Sequence, residues 1–184
     1  MHIPAVRSLF VALLVALSAI ISAPASAAGK ADLERTSKSA LNKLVAKVAA
    51  ARTLNEKAVA VLVFPSITKA GFVVGGQFGE GVLWRGGKAV GYYSTTGASY
   101  GLQAGAQKYG YAMFFMNEQA LNALNTGDGF EVGVGPSVVL VDEGMAKSVT
   151  TTTAQNDIYA FIFGQTGLMA GLGIQGNKIT RIEK

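Results

Sequence analysis

Twelve glycines fall between Gly71 and Gly110, punctuating runs of β-branched and aromatic residues. Glycine at this density disfavours helix across the whole segment. Inside strands it marks bulges, tight bends and close approach of backbones. The chain from Ala58 onward is therefore expected to build a curved sheet. AVAVLVF (58–64) is a continuous apolar run, as in a strand buried on both faces. In PSITKAG (65–71), Pro65 suits the opening of a short helical turn and Gly71 its end. FVVGGQF, GVLWR, a Gly86-Gly87 turn and KAVGYYS then read as a meander of antiparallel strands. YGYAMFFM (109–116) is a further strand. NEQALNALNTG (117–127) reads as an internal helix, with Asn117 as N-cap and Gly127 past its end. FEVGVG, PSVVLVDE, SVTTTT, DIYAFIF, GLMAGLGIQ and NKITRIE continue the β pattern to the C-terminus. Alternation alone also fits an outer-membrane barrel, but the irregular strand lengths, the helix ahead of the sheet and the lack of aromatic girdles argue against one. The expected fold class is α+β: a glycine-rich, mostly antiparallel curved sheet with an N-terminal amphipathic helix and one internal helix.

The charge is concentrated ahead of that sheet. Between Ala28 and Leu54 the basic residues Lys30, Arg35, Lys38, Lys43, Lys47 and Arg52 face only Asp32 and Glu34, whereas from Asn55 to Lys184 basic and acidic residues balance. ADLERTSKSALNKLVAKVAAAR contains neither Gly nor Pro, and its Ala, Leu and Lys favour helix. Leu41, Leu44, Val45 and Val48 repeat at the spacing of one apolar face, and Lys43 and Lys47 are expected on the opposite side. Asp32 and Glu34 lie early and Arg52 late, as the helix dipole favours. One reading is an ordinary helix packed on the domain with a solvated basic face. The other is an interfacial helix whose basic residues meet anionic headgroups while the apolar face dips into the bilayer. The candidate lipid-binding residues are Lys38, Lys43, Lys47, Arg52, Leu41, Leu44, Val45 and Val48.

Residues 1–27 have the layout of a secretory signal, with Arg7, an apolar run from Leu9 to Ile21, and Ala25-Ser26-Ala27 as an A-x-A cleavage site. The domain reading is a signal over 1–27, a basic helix over 28–54 and a β-rich body over 55–184, the last two forming a single domain. Export to the periplasm or beyond is expected, possible peripheral attachment to a membrane included. Nucleic acid is not expected as a partner of an exported chain. Cleavage after Ala27 removes His2, the one histidine, and the chain has no cysteine. A Ser-His-Asp triad, thiol chemistry and ordinary zinc or copper sites then lack their ligands, so no metal and no cofactor is expected. GASYG (97–101) matches the G-x-S-x-G nucleophile elbow, and a hydrolase would need Lys69 or Lys108 beside Ser99. GGQFGEG (75–81) does not have the order of a phosphate-binding loop. Asp142-Glu143 is the one adjacent carboxylate pair, and neighbours on a strand face opposite sides. Trp84 and the tyrosines are expected to fill the core or line a sheet face.

An ordered series of short motifs resembles the SYLF domain family, also called the Ysc84 actin-binding domain. It runs through the apolar strand into Pro65, Lys69-Ala70-Gly71-Phe72, Gly75-Gly76 and Gly79-x-Gly81-Val82-Leu83. Ser99-x-Gly101-x-Gln103-x-Gly105-x-Gln107 and Gly133-x-Gly135-Pro136 follow. Tyr159, Gly167-Leu168-x-Ala170-Gly171 and Gly176-x-x-Ile179 close it. The resemblance spans roughly residues 40–184. It implies a membrane-binding module: eukaryotic members bind phosphoinositides through a basic amphipathic helix ahead of the β-rich body, and yeast-type members bind actin. The helix carrying Lys38, Lys43 and Lys47 stands in the corresponding place. Two departures are visible. The usual W-S-x-P stretch is Tyr93-Ser94-Thr95-Thr96 here, and the lipoprotein cysteine of some bacterial members is absent. The resulting expectation is a non-enzymatic protein of the bacterial cell envelope that contacts anionic phospholipid, without actin as a partner. The alternative is a structural or interaction module that binds an envelope protein.

Overall fold

The computed structural model describes residues 29–125, 129–131, 138–140 and 156–184, with backbone alone at 100–103, 138–139 and 168–176. The signal segment, Gly127, Asp142-Glu143 and the Gly133-x-Gly135-Pro136 motif lie outside the described residues. In chain order the elements are helices α1 (Lys30–Lys47) and α2 (Ala49–Lys57), strands β1 (Ala60–Arg85) and β2 (Lys88–Phe115), helix α3 (Glu118–Ala123), and strands β3 (Phe130–Glu131), β4 (Val138–Leu140) and β5 (Ile158–Ile182). The sheet runs β1-β2-β5-β3, antiparallel throughout that order, and β4 adds to β5 in parallel. The expected α+β class and curved antiparallel sheet are what the fold shows.

The strands are far longer than the glycine punctuation suggests. What reads as a strand, a helical turn and two further strands is one 26-residue strand, β1. Pro65 does not open a helix. It sits where the β1–β2 register shifts between Phe64 and Ile67, on a strand with β2 as its ladder partner, and a missing N–H is tolerated at such a place. The glycines bend the strand rather than end it. A side chain on Gly71 would lie 2.4 Å from the Cα of Gly75, one on Gly79 would meet Ile67 at 2.8 Å, and one on Gly81 would meet the Phe64 ring at 2.7 Å. β1 therefore doubles back at residues 71–75 and its two halves lie in contact. Only the Gly86-Gly87 turn breaks the β1–β2 ribbon, with both residues at positive φ between paired Arg85 and Lys88.

Residues 60–64 are buried on both faces, as the apolar run predicts. Ala60, Leu62 and Phe64 join Tyr93, Met113, Phe115, Ile158 and Ile179 in a core closed by Ala120, Leu121 and Leu124 at and just beyond α3. Val61 and Val63 turn the other way, against Leu33, Leu41, Leu44 and Leu54 of α1 and α2, with Val82, Trp84, Phe114 and Phe161. Asn117 caps α3 as expected, its side chain accepting from the Ala120 N–H at 2.8 Å. The helix itself ends at Ala123, earlier than the expected end.

Candidate functional site

The single helix expected over 28–54 is two helices. Val48 leaves helical geometry (φ −114, ψ 109) and starts a second segment that runs to Lys57. Arg52 explains why the junction holds: its Nε and Nη2 donate to the carbonyls of Val45 and Ala46, both at 3.2 Å. These are last-turn carbonyls of α1 that lack a partner within the helix. Arg52 is thus engaged in capping α1.

The apolar face of α1 is packed on the sheet. Leu41 and Leu44 are 5% and 4% exposed, and Val45 and Val48 flank the same core. Ser37, buried among them, accepts the Trp84 indole N–H at 2.9 Å and donates to the Val63 carbonyl at 3.3 Å. Tyr92 on β2 donates its hydroxyl to the Glu34 carboxylate. That hydrogen bond, together with desolvation and the carboxylate's charge, pushes the Tyr92 phenol up to about 12. Lys30 stands 5.4 Å from the centre of the Tyr92 ring and Lys38 4.9 Å from that of Trp84, both cation–π contacts. The expected bilayer-dipping face is therefore the docking face of the helix, and Lys38 lies over an aromatic ring of the body.

Lys43 and Lys47 have a different setting. Both are exposed and border a groove of about 800 Å³ between α1 and β1. Leu33, Leu44, Val48, Pro65, Phe78 and Phe163 supply its apolar walls, and the floor is formed by the stretches of β1 that lead into and out of the bend. Arg35 joins them at the mouth, exposed and 3.1 Å from Asp32. Glu80 also lines the groove, but Lys184 neutralises it at 3.0 Å in a pair whose side chains are each 12% exposed. Of the four basic residues expected to contact lipid, the fold thus gathers Lys43 and Lys47 at one mouth and diverts Lys38 and Arg52. It adds Arg35, which the sequence reading missed although 35, 43 and 47 are separated by multiples of four. At about 100° per residue such positions share one flank of a helix. That flank borders the buried stripe instead of opposing it.

Ser99 sits in mid-strand, opposite Gly75 on β1 and Gln175 on β5, and is 4% exposed. A nucleophile elbow needs an exposed serine at a strand-to-helix turn, and this position is neither. Among the described residues, no helix is long and apolar enough to cross a membrane.

Residues 96–184 match the family model Ysc84, described as "Las17-binding protein actin regulator". Over that stretch, just under half of the chain, the sequence is similar to the Ysc84 (SYLF) family. The match begins inside β2 and takes in α3 and β3 to β5, while α1, α2 and β1 precede it. The Ysc84 (SYLF) family is linked in general to lipid and protein interactions, so a domain of this kind suggests an interaction module. No curated protein matches the chain.

Proposed function

We propose that the chain is a non-enzymatic, exported envelope protein that binds anionic phospholipid, with Lys43, Lys47 and Arg35 as the headgroup contacts. The observation that carries this reading is the cationic mouth on an apolar groove. A phosphate-bearing headgroup matches the charge, and an acyl chain matches the walls. Because Leu41 and Leu44 are committed to the core, α1 contributes charge and not insertion. Attraction of this kind amounts to about 1 kcal/mol per basic residue close to an anionic surface. It is screened within a Debye length of about 10 Å at 0.1 M salt. Actin is not carried over from the family description, since the expected export separates this chain from it.

Vesicle co-sedimentation of the chain from Ala28 tests the reading, since every described element lies within residues 29–184. Binding to phosphatidylglycerol-containing vesicles, absent with phosphatidylcholine alone and weakened by salt, is the expected result. Lys43→Glu/Lys47→Glu should weaken it about tenfold or more, because each reversal replaces attraction by repulsion. Lys38→Glu should have a smaller effect. Unchanged binding by the double variant would overturn the site. No vesicle binding at any salt, with stoichiometric capture of an envelope protein, would establish the interaction-module reading instead.

A further inference from the structure

The bend of β1 exposes a run of apolar side chains. Phe72 is 79% exposed and Val74 64%, with Val73 and Phe78 also substantially exposed. No charged residue occurs between Lys69 and Glu80, between Lys88 and Lys108, or between Asp157 and Lys178. The register brings these three uncharged spans side by side: Phe72 pairs with Ala104 and Ala104 with Ala170, while Val74 pairs with Tyr100 and Tyr100 with Ile174. Val73, at the turning point, has φ 64. A β-branched residue in the left-handed region is strained, and glycines stand close by at 71, 75 and 76. Strain held at an exposed apolar position marks a site where the side chain matters more than the comfort of the backbone.

We propose that this folded tip inserts into the interfacial zone of an anionic bilayer, supplying the apolar contact that α1 does not. The proposal rests on the lipid reading above. Lys69, Lys108 and Lys178 each bound one end of an uncharged span, the other ends being Glu80, Lys88 and Asp157. Glu80 is already paired with Lys184. The three lysines would meet headgroup phosphates where the apolar surface ends. The groove bordered by Lys43 and Lys47 is also lined by Thr68, Phe78 and Gly79 of β1, the residues that lead to the same bend. From Lys69 to Gly71, where the strand begins to double back, an extended chain advances about 7 Å. Interfacial elements bury apolar groups about 5–10 Å into the headgroup–acyl boundary, so lysines at headgroup level place Phe72 among the upper acyl segments. An uncharged apolar patch with lysines beside it complements an anionic lipid surface in both polarity and sign.

The chain has no cysteine, so an environment-sensitive nitrobenzoxadiazole label can be placed at one position. Phe72→Cys labelled in this way should brighten severalfold and shift to the blue on phosphatidylglycerol vesicles, and shallow doxyl-labelled lipids should quench it. The same label at Val90→Cys, exposed near the Gly86-Gly87 turn, should not respond. Phe72→Asp should lower vesicle affinity about tenfold or more, from the lost burial of one aromatic side chain, with its melting temperature unchanged. A silent Phe72 label on protein that still sediments with vesicles would overturn the insertion and leave the basic site standing. Absence of any vesicle binding would overturn both. A dimer in solution that Phe72→Asp dissociates would also overturn the proposal, by assigning the tip to a second copy of the chain.

Discussion

At one end of the ribbon, Ala60 to Phe64 have α1 and α2 on one face and the α3 region on the other, and every side chain is buried. About ten residues further along the same strand, Phe72 and Val74 stand in solvent. The two stretches have similar apolar character, and both pair with β2, which pairs in turn with β5. Strand pairing satisfies the backbone equally at both ends, and only layers laid across a sheet remove its side chains from water. The uncovered end is where an apolar residue is free to serve something other than the fold.

The sharpest way to break this comparison is to truncate one aromatic ring at each end. Phe114 is fully buried and meets Phe161 edge-on, with ring centroids 5.4 Å apart. Phe114→Ala should cost about 3–5 kcal/mol in urea unfolding, whereas Phe72→Ala should stay within about 0.5 kcal/mol. Equal losses would mean that the tip belongs to the core.

Alkaline titration separates the ends next. Burial pushes the Tyr111 phenol up to about 12, and the charge of a neighbouring Tyr109 phenolate adds to this. Burial also raises Tyr109, against a lowering from its hydrogen bond to Gln77. An acid whose folded pKa is raised contributes stability that is fully present below its unfolded value near 10 and is lost as pH climbs toward 12. Stability should therefore hold from neutral pH to about 10 and then fall by up to about 2–3 kcal/mol for Tyr111. Tyr111→Phe should flatten the fall. An unchanged slope in that variant would locate the alkaline sensitivity elsewhere.

Ser37 tests how the covered end is held shut. Ser37→Ala leaves the buried Trp84 N–H without its acceptor, and should destabilise by roughly 1–2 kcal/mol. Hydrogen exchange should rise first in α1. The smallest effect belongs to the bend: Val73→Gly relieves the left-handed strain and should add about 1 kcal/mol of stability, while weakening vesicle binding. A loss of stability in Val73→Gly would mean that the valine is held for packing.

Several local features were legible because their causes are local. The Gly86-Gly87 turn, the Asn117 cap and the doubly buried run at 60–64 each follow from backbone freedom, one side-chain hydrogen bond or a stretch of apolar residues. The N-terminal helix was visible in its propensities, and so was the concentration of positive charge upon it. The break at Val48 was not, because no glycine or proline signals it and Arg52 holds the junction through side-chain hydrogen bonds. Strand lengths were misjudged for a related reason: Gly71, Gly79 and Gly81 punctuate the sequence like turns, yet each lies where a second segment of β1 leaves no space for a side chain.

By itself, then, the sequence determined an α+β chain with a basic helix, a glycine-bent antiparallel sheet and long uncharged spans, since these depend on composition and near-neighbour spacing. Only the tertiary structure decided which apolar residues would be spent on the core. Periodicity marks Leu41, Leu44 and Phe72 alike as apolar, but docking α1 on β1 buried the first two and left the third in water. The same docking divided the cations, sending Lys38 to the Trp84 ring and Arg52 to the α1 carbonyls, with Lys43 and Lys47 left at the mouth of the groove. Which charge meets a partner is set by contacts between residues distant in the chain, and helical spacing carries no record of those contacts.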